Sequence, residues 1–375
     1  MAEKWNNFEQ TPVESPFDLE LLQREVGQRF PFYDMKSNLN TVAFFCRIDE
    51  ETLEEKFESL RLTLIEKNYI PMIRVEHGEH IIYVIKKPQS KKRKSVWVNI
   101  ALLAATVVTT TLAGALQWVE IDQVDWLYLV SAEYLWPGFV FFSVPLLLIL
   151  GIHEMGHYFI SKKHRVDASL PYFIPLPPPF ILGTFGALIS TREPIPNRKA
   201  LLDIGMAGPL CGFLVAIPVS LIGFYLMQQN PLPLPSTGTS IILVPPLLLV
   251  WMQNLFSISG DYVMHPTLFA GWVGIFLTAV NLLPTGQLDG GHIARAILKE
   301  KHKYISWLVI FVLAGLSFFY TGWLMFAIII LLFIGTQHQP PLNEVTPLDI
   351  RRKLLGLLIL IVFILSFAPI PFYGQ

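Results

Sequence analysis

The sequence predicts a multi-pass α-helical membrane protein, about seven transmembrane helices plus re-entrant segments, preceded by a small soluble α+β domain. Three observations predict this. The 375 residues are 53% hydrophobic and 15% charged, against roughly 25% charged in an average soluble domain. Several apolar runs approach the roughly 20 residues a helix needs to cross hydrocarbon. Lys/Arg clusters also flank those runs, as cytoplasmic loops do. A formal net charge of −1 gives no general attraction for nucleic acid, and the apolar runs make the lipid bilayer the expected surroundings. Cys46 lies in a polar region and Cys211 in an apolar one, which gives neither a disulfide framework nor a zinc-binding cysteine pair.

Residues 1–94 are mixed in charge and read as the soluble domain, with 95–370 as the membrane domain. Phe17 to Gly27 is helix-like, Thr41 to Ile48 has strand character, and Glu51 to Lys67 carries apolar residues at helical spacing. Tyr69 to Val75 and His80 to Ile85 flank His77-Gly78 as a hairpin, so the expected order is strand–helix–strand–strand. His77, His80 and Cys46 are read as ordinary surface and structural residues, and the domain is assigned no chemistry.

The basic run Lys86 to Lys94 precedes the first span, Val96 to about Trp118, and places the amino-terminal domain in the cytoplasm. No cleavable signal sequence opens the chain, which agrees. The next loop carries Glu120, Asp122, Asp125 and Glu133 without Lys or Arg, as expected on the far side. A second span returns from about Trp136 to Ile160, and Lys162-Lys-His-Arg165 follows at once.

Near the cytoplasmic end of that second span lies His153-Glu154-Met155-Gly156-His157. Ionisable groups in hydrocarbon cost several kcal/mol each unless paired or ligated. At about 3.6 residues per turn, His153 and His157 share one helix face, where two imidazoles hold one tetrahedral zinc. Glu154 sits beside that face as a base toward water. Two histidines do not complete a site, so a third ligand is required elsewhere in the chain.

Pro171 to Gly183 is too proline-rich for a helix and too apolar for an ordinary surface loop, which suggests a segment dipping to membrane depth. Gly183-Thr184-Phe185-Gly186-Ala-Leu-Ile-Ser190 has a strand-forming tail and reads either as an edge strand lining a site or as a plain connector. A span from Ala200 to about Met227 holds Gly205, Gly208 and Gly212, small residues that let a neighbouring helix approach closely. Ile241 to Phe256 is apolar but short and broken by Pro245-Pro246, so it is re-entrant or interfacial.

The span beginning near Thr267 runs into Asn281-Leu-Leu-Pro-Thr-Gly-Gln-Leu-Asp-Gly-Gly291 and then a basic segment. Pro284, Gly286, Gly290 and Gly291 predict a kinked or unwound helix. If the span runs inward, Asp289 reaches the depth of His157. Asp289 also reads as a turn residue before glycines, and His292 competes for the ligand role. A tight helical pair, Ile305 to Tyr320 and Trp323 to Ile334, then a polar loop from Gln337 to Lys353 and a last span, Leu354 to Phe367, complete the chain with its carboxyl terminus outside.

His-Glu-x-x-His on the second span, Gly183-Thr-Phe-Gly186, Met206-Ala-Gly-Pro209 and Asn281-x-x-Pro-x-x-x-Leu-Asp-Gly-Gly291 together resemble the site-2 protease family of intramembrane zinc metalloproteases, over roughly residues 95 to 370. The amino-terminal domain and Leu288-Asp-Gly-Gly-His-Ile-Ala-Arg295 look most like its cyanobacterial and chloroplast branch. The resemblance implies one zinc held by His153, His157 and Asp289, with Glu154 as catalytic base. It also implies that Asn281 holds substrate or the developing oxyanion, and that Gly183 to Ser190, including Thr184, Phe185 and Gly186, is the strand that receives substrate. Where this chain has Gly286, many members carry a second proline.

The expected activity is hydrolysis of a peptide bond within or beside a transmembrane helix of a membrane protein, in a prokaryotic inner membrane or a thylakoid, with the site toward the cytoplasm. A membrane metal-ion carrier also needs buried His and carboxylate ligands. A metal-bound scaffold without proteolysis is a third option. Glu154 discriminates, because neither alternative needs a non-ligating acid beside the first histidine.

Overall fold

A computed structural model describes residues 17–88, 95–118, 130–233, 241–258 and 262–374. Most of the basic run Lys86 to Lys94, and Glu120, Asp122 and Asp125, lie outside the described residues. The chain divides into two compact units. The first gathers the amino-terminal region to residue 92 with Pro194–Leu201 and Pro340–Leu348; the second holds Arg93–Glu193, Leu202–Gln339 and Asp349–Gln375.

The first unit contains helix α1 (Leu19–Gly27), strands β1 (Phe32–Ser37) and β2 (Thr41–Cys46), helix α2 (Leu53–Glu66), and strands β3 (Tyr69–Glu76) and β4 (Glu79–Lys86). The antiparallel sheet runs β1-β2-β4-β3. Leu22, Val26, Phe44, Leu60, Leu64, Ile73 and Ile82 form its core, so the apolar faces of both helices cover one face of the sheet.

The expected order lacks β1, whose sequence Phe-Tyr-Asp-Met-Lys-Ser alternates too weakly to read as a strand. Its sequence signal is the turn that follows, where Asn38 Oδ1 accepts the Asn40 and Thr41 N–H groups at 2.9 and 2.7 Å. His77 and Gly78 take positive φ in the β3–β4 turn. Cys46 is buried opposite His80 in the β2–β4 register, its thiol on the Phe44 carbonyl. Among the described residues no metal-binding group forms there.

The loop expected from Gln337 to Lys353 is not a free polar connection. Leu342 enters the core of this first unit, its carbonyl accepting the Ile73 N–H at 2.9 Å, while Leu342 N–H reaches the Ile195 carbonyl at 2.9 Å. Arg351 to Lys353 belong to the first turn of a helix, because Asp349 accepts the Arg352 N–H at 2.8 Å and caps it.

The second unit contains α3 (Val96–Leu116), α4 (Ala132–Lys163), β5 (Tyr172–Pro175), β6 (Thr184–Leu188) and α5 (Arg198–Gln229), the last of which begins within Pro194–Leu201. There follow α6 (Leu247–Gln253), α7 (Pro266–Asn281), α8 (Asp289–Leu298), α9 (His302–Leu316), α10 (Gly322–Ile329) and α11 (Ile350–Ser366). Among the described residues three helices, α3, α4 and α5, are long and apolar enough to cross a membrane, and α7 and the stretch Gly322–Phe333 are shorter apolar helices. The segment from Ile241 forms a three-residue strand and the short α6. Phe142, Leu146, Ile149, Ala216, Phe269, Trp272 and Val273 pack α4, α5 and α7 together.

The proline-rich segment is half of a hairpin, β5 pairing antiparallel with β6. Proline removes N–H donors, so the carbonyls around it need partners from outside the ladder. Helix α3 supplies some of them. Asn99 Nδ2 donates to the Leu170 and Pro171 carbonyls at 3.0 and 2.8 Å, and Thr109 Oγ1 to the Gly183 carbonyl at 2.6 Å.

As the sequence predicts, the helix carrying Asn281 ends there, and an irregular turn separates it from Asp289 at the start of α8. Gly286 sits in that turn at φ +53°. Proline is locked near −65°, so the backbone here follows a path closed to proline.

Candidate metal centre

His153 and His157 lie one turn apart on α4, both buried, with ring centroids 4.9 Å apart. Their Nε2 atoms are 3.2 Å apart, and Asp289 Oδ2 lies 3.3 Å from each. Bonds of about 2.0–2.1 Å to a tetrahedral ion put neighbouring ligand atoms roughly 3.3–3.4 Å apart. The observed triangle has the edge lengths of one face of that tetrahedron. Asp289 occupies the first turn of α8, where a carboxylate is favoured by the helix dipole and its chain direction is set by the preceding turn.

Hydrogen bonding sets the histidine tautomer. His157 Nδ1 is 2.8 Å from the Ile204 carbonyl, which only accepts, so Nδ1 carries the hydrogen and Nε2 turns its lone pair toward His153 and Asp289. Electron-rich atoms converging at 3.2–3.3 Å call for a cation among them. His153, His157 and Asp289 therefore fit a metal ion by donor type, distance and burial, and they are the group among the described residues whose ligand atoms converge in this way.

The turn of α5 opposite these side chains carries Gly208 and Gly212. A Cβ on Gly208 would lie against the His157 ring, 2.7 Å from Cε1 and closer still to Nε2; one on Gly212 would lie 3.1 Å from His153 Nδ1. The expected close approach of a neighbouring helix is thus an approach to the helix that carries His153 and His157. Helices α4 and α5 run antiparallel here, with His153 against Gly212 and His157 against Gly208.

His292, the competitor for the third position, is outside the triangle. Its Nδ1 lies 2.9 Å from His338 Nε2 instead. Glu154 is buried beside His153 but is not one of the three converging groups, and the Ile189 main-chain N–H faces it. Ile189 directly follows β6, so the hairpin comes up to the acid. Within β6, Phe185 and Leu188 are exposed, whereas Thr184 is buried, donating to the Ile174 carbonyl at 2.9 Å and accepting the Gly186 N–H at 3.0 Å. Gly183 packs on the Thr109–Thr110 backbone of α3, and Gly186 has open space around its Cα. Asn281 is the half-buried last residue of α7, with no side-chain hydrogen bond among the described residues.

Two groups near this cluster escaped the sequence reading, the Ile204 carbonyl and the Ile189 amide. Both are main-chain atoms, which carry no residue-type signal; only the packing of α5 and of the hairpin against α4 discloses them.

Residues 141–320 match the family model described as Peptidase family M50. Among similar proteins, "Probable zinc metalloprotease EGY1, chloroplastic" of Arabidopsis thaliana is 31% identical over 254 residues, covering 64% of this chain and 45% of that protein. "Probable zinc metalloprotease EGY2, chloroplastic" of the same plant is 26% identical over 236 residues, 60% of this chain and 41% of that one. This chain thus spans less than half the length of these relatives. No solved structure matches. The His-Glu-x-x-His helix and the Asp289 turn both lie inside the matched region, so residues 141–320 are similar to peptidase family M50, the site-2 protease family, and the similar proteins are named as chloroplastic.

Proposed function

We propose that the protein is a zinc-dependent endopeptidase, binding one zinc per chain, that cleaves membrane-protein substrates within or next to a transmembrane helix. The observation that carries this is the triangle of His153, His157 and Asp289 with an acid, Glu154, that stands beside it without joining it. A carrier or a metal-bound scaffold has no use for that acid.

His153 Nε2, His157 Nε2 and Asp289 Oδ2 would hold the ion, and zinc held there would supply Lewis acidity toward water and a carbonyl oxygen. Glu154 takes the proton of the attacking water on its carboxylate and returns it to the leaving amine. Asn281 donates to the oxygen on which charge develops. Strand β6 receives the substrate in extended form, its main-chain groups replacing helical hydrogen bonds that the substrate gives up. Burial of the ligands excludes bulk water, which strengthens each of these interactions.

The proposal extends to topology. Residues 1–94 act as a cytoplasmic domain and 95–370 as the proteolytic domain. About seven crossings, counting the shorter helices, put the amino terminus and the metal centre toward the cytoplasmic side of a bacterial inner membrane, or the equivalent side of a thylakoid.

The test is a Glu154→Gln variant of the purified protein in lipid vesicles. It keeps about one zinc per chain, loses cleavage, and retains bound membrane-protein substrates that mass spectrometry then identifies. Cleavage by this variant at the wild-type rate refutes the mechanism.

A further inference from the structure

We infer that Asp203, held by Arg352 and His164, is a positioning group for the metal centre: it fixes the main-chain carbonyl that orients the ligand His157. The inference rests on the zinc reading above. Its basis is a chain of close contacts from three helix ends to one ligand. Arg352, in the first turn of α11, grips Asp203 with two parallel bonds, Nε to Oδ1 at 2.8 Å and Nη2 to Oδ2 at 2.6 Å. His164, just past the end of α4, donates from Nε2 to the same Oδ2 at 2.9 Å. Side-chain exposures of 19–24% make this a half-buried node, where a bidentate pair is geometrically restrictive. The next residue is Ile204, whose carbonyl receives His157 Nδ1–H at 2.8 Å.

That turn of α5 needs such an anchor. Pro209 lacks the N–H that would close the helical bond to the Gly205 carbonyl, and Gly205 and Gly208, which make room for α8 and for the His157 ring, are poor helix formers. The residues that open space for the metal ligands therefore weaken the helix that must orient them. Arg352 and His164 restore its position from outside, tying α5 to α4 and α11. A carbonyl that drifts takes His157 Nδ1–H with it and turns Nε2 away from the other ligands, and sites of this kind tolerate only about 0.5 Å of such movement. Partners one step removed from a ligand are commonly worth 10–100-fold in metal affinity.

The experiment measures zinc affinity by chelator competition, and the visible absorption of the Co(II)-substituted protein, for full-length protein in detergent. Asp203→Asn is expected to weaken zinc binding roughly 10–100-fold and to shift the Co(II) bands, with the secondary structure and elution profile of wild type. Arg352→Lys keeps the charge but loses the second parallel bond and is expected to fall between, about 3–10-fold; His164→Gln, which still donates one bond, behaves alike. Asp349→Asn, which removes the other carboxylate on Arg352 while leaving Asp203 paired, is expected to stay within about threefold. Folded Asp203→Asn with wild-type affinity and unchanged Co(II) bands overturns the inference, as does an equal loss in Asp349→Asn. If Asp203→Asn does not fold, Arg352→Lys decides: wild-type affinity and bands there overturn it. Wild-type protein that binds neither zinc nor Co(II) overturns the metal reading itself, a result distinct from failure of the node.

Discussion

Replacing Gly208 by alanine tests whether the glycine turn of α5 exists to seat a ligand. In a helix interior the change should stabilise, since alanine is favoured over glycine by about 0.8–1.0 kcal/mol. Here the new methyl would lie 2.7 Å from His157 Cε1 and closer to Nε2, where ordinary contacts are near 3.5 Å. The ring must therefore retreat by roughly 1 Å, well beyond the about 0.5 Å that a ligand site tolerates. Loss of one of three protein ligands, with overpacking worth about 1–3 kcal/mol in addition, corresponds to at least a 100-fold weaker zinc site, or about 2.7 kcal/mol. Gly212→Ala provides the graded comparison, because its methyl meets His153 Nδ1 at 3.1 Å and needs only a few tenths of an ångström, so its effect stays under about tenfold. Zinc affinity by chelator competition is the assay, with thermal unfolding of the metal-free protein alongside. A Gly208→Ala protein that holds zinc within threefold of wild type would refute the packing argument, and so would Gly212→Ala as the more damaging of the two.

The ligand assignment is checked by Asp289→Ala, expected to lose bound zinc, against His292→Ala, expected to keep it within about threefold because His292 is engaged by His338; atomic absorption on both variants decides, and the reverse outcome would exchange their roles. In the amino-terminal unit, the Lys67 side chain above all, with Arg29 and Arg24, holds the Glu25 carboxyl down from 4.5 to about 2. A depressed folded-state pKa stabilises above the unfolded pKa and is lost as pH falls through the folded one. Protection from hydrogen exchange in residues 17–88 of the full chain, taken relative to the intrinsic exchange rate at each pH, should accordingly fall between about pH 4.5 and 2, and do so less steeply in Glu25→Gln, whereas equal slopes would remove this cluster from acid stability. In β6, Ala187→Pro and Leu188→Pro delete donors on opposite edges, and one of them should cut turnover roughly tenfold or more with zinc retained; near-normal cleavage by both makes the hairpin a connector.

The sequence by itself determined the features whose cause is local. His153 and His157 share a face because four residues make about one helical turn, whatever α4 packs against. The hairpin at His77-Gly78, the break after Asn281 and the glycine stripe of α5 likewise follow from what a few neighbouring residues allow. Tertiary structure decided the features that join distant segments. Without the family resemblance, which favours Asp289, the residues alone leave Asp289 and His292 in competition, since both can hold a metal ion and they stand about one helical turn apart. The angle at which α8 leaves the Gly286 turn brings one to His157 and leaves the other to His338. Strand β1 exists because β2 offers it a ladder, and Leu342 enters a core near the opposite end of the chain because Ile73 and Ile195 offer it main-chain partners. The Ile204 carbonyl is chosen by position alone, as every residue has one. Residue type and spacing encode what lies within a turn or two, whereas main-chain partners and long-range ligands are selected by helix packing, whose free energy is spread over contacts from all parts of the chain.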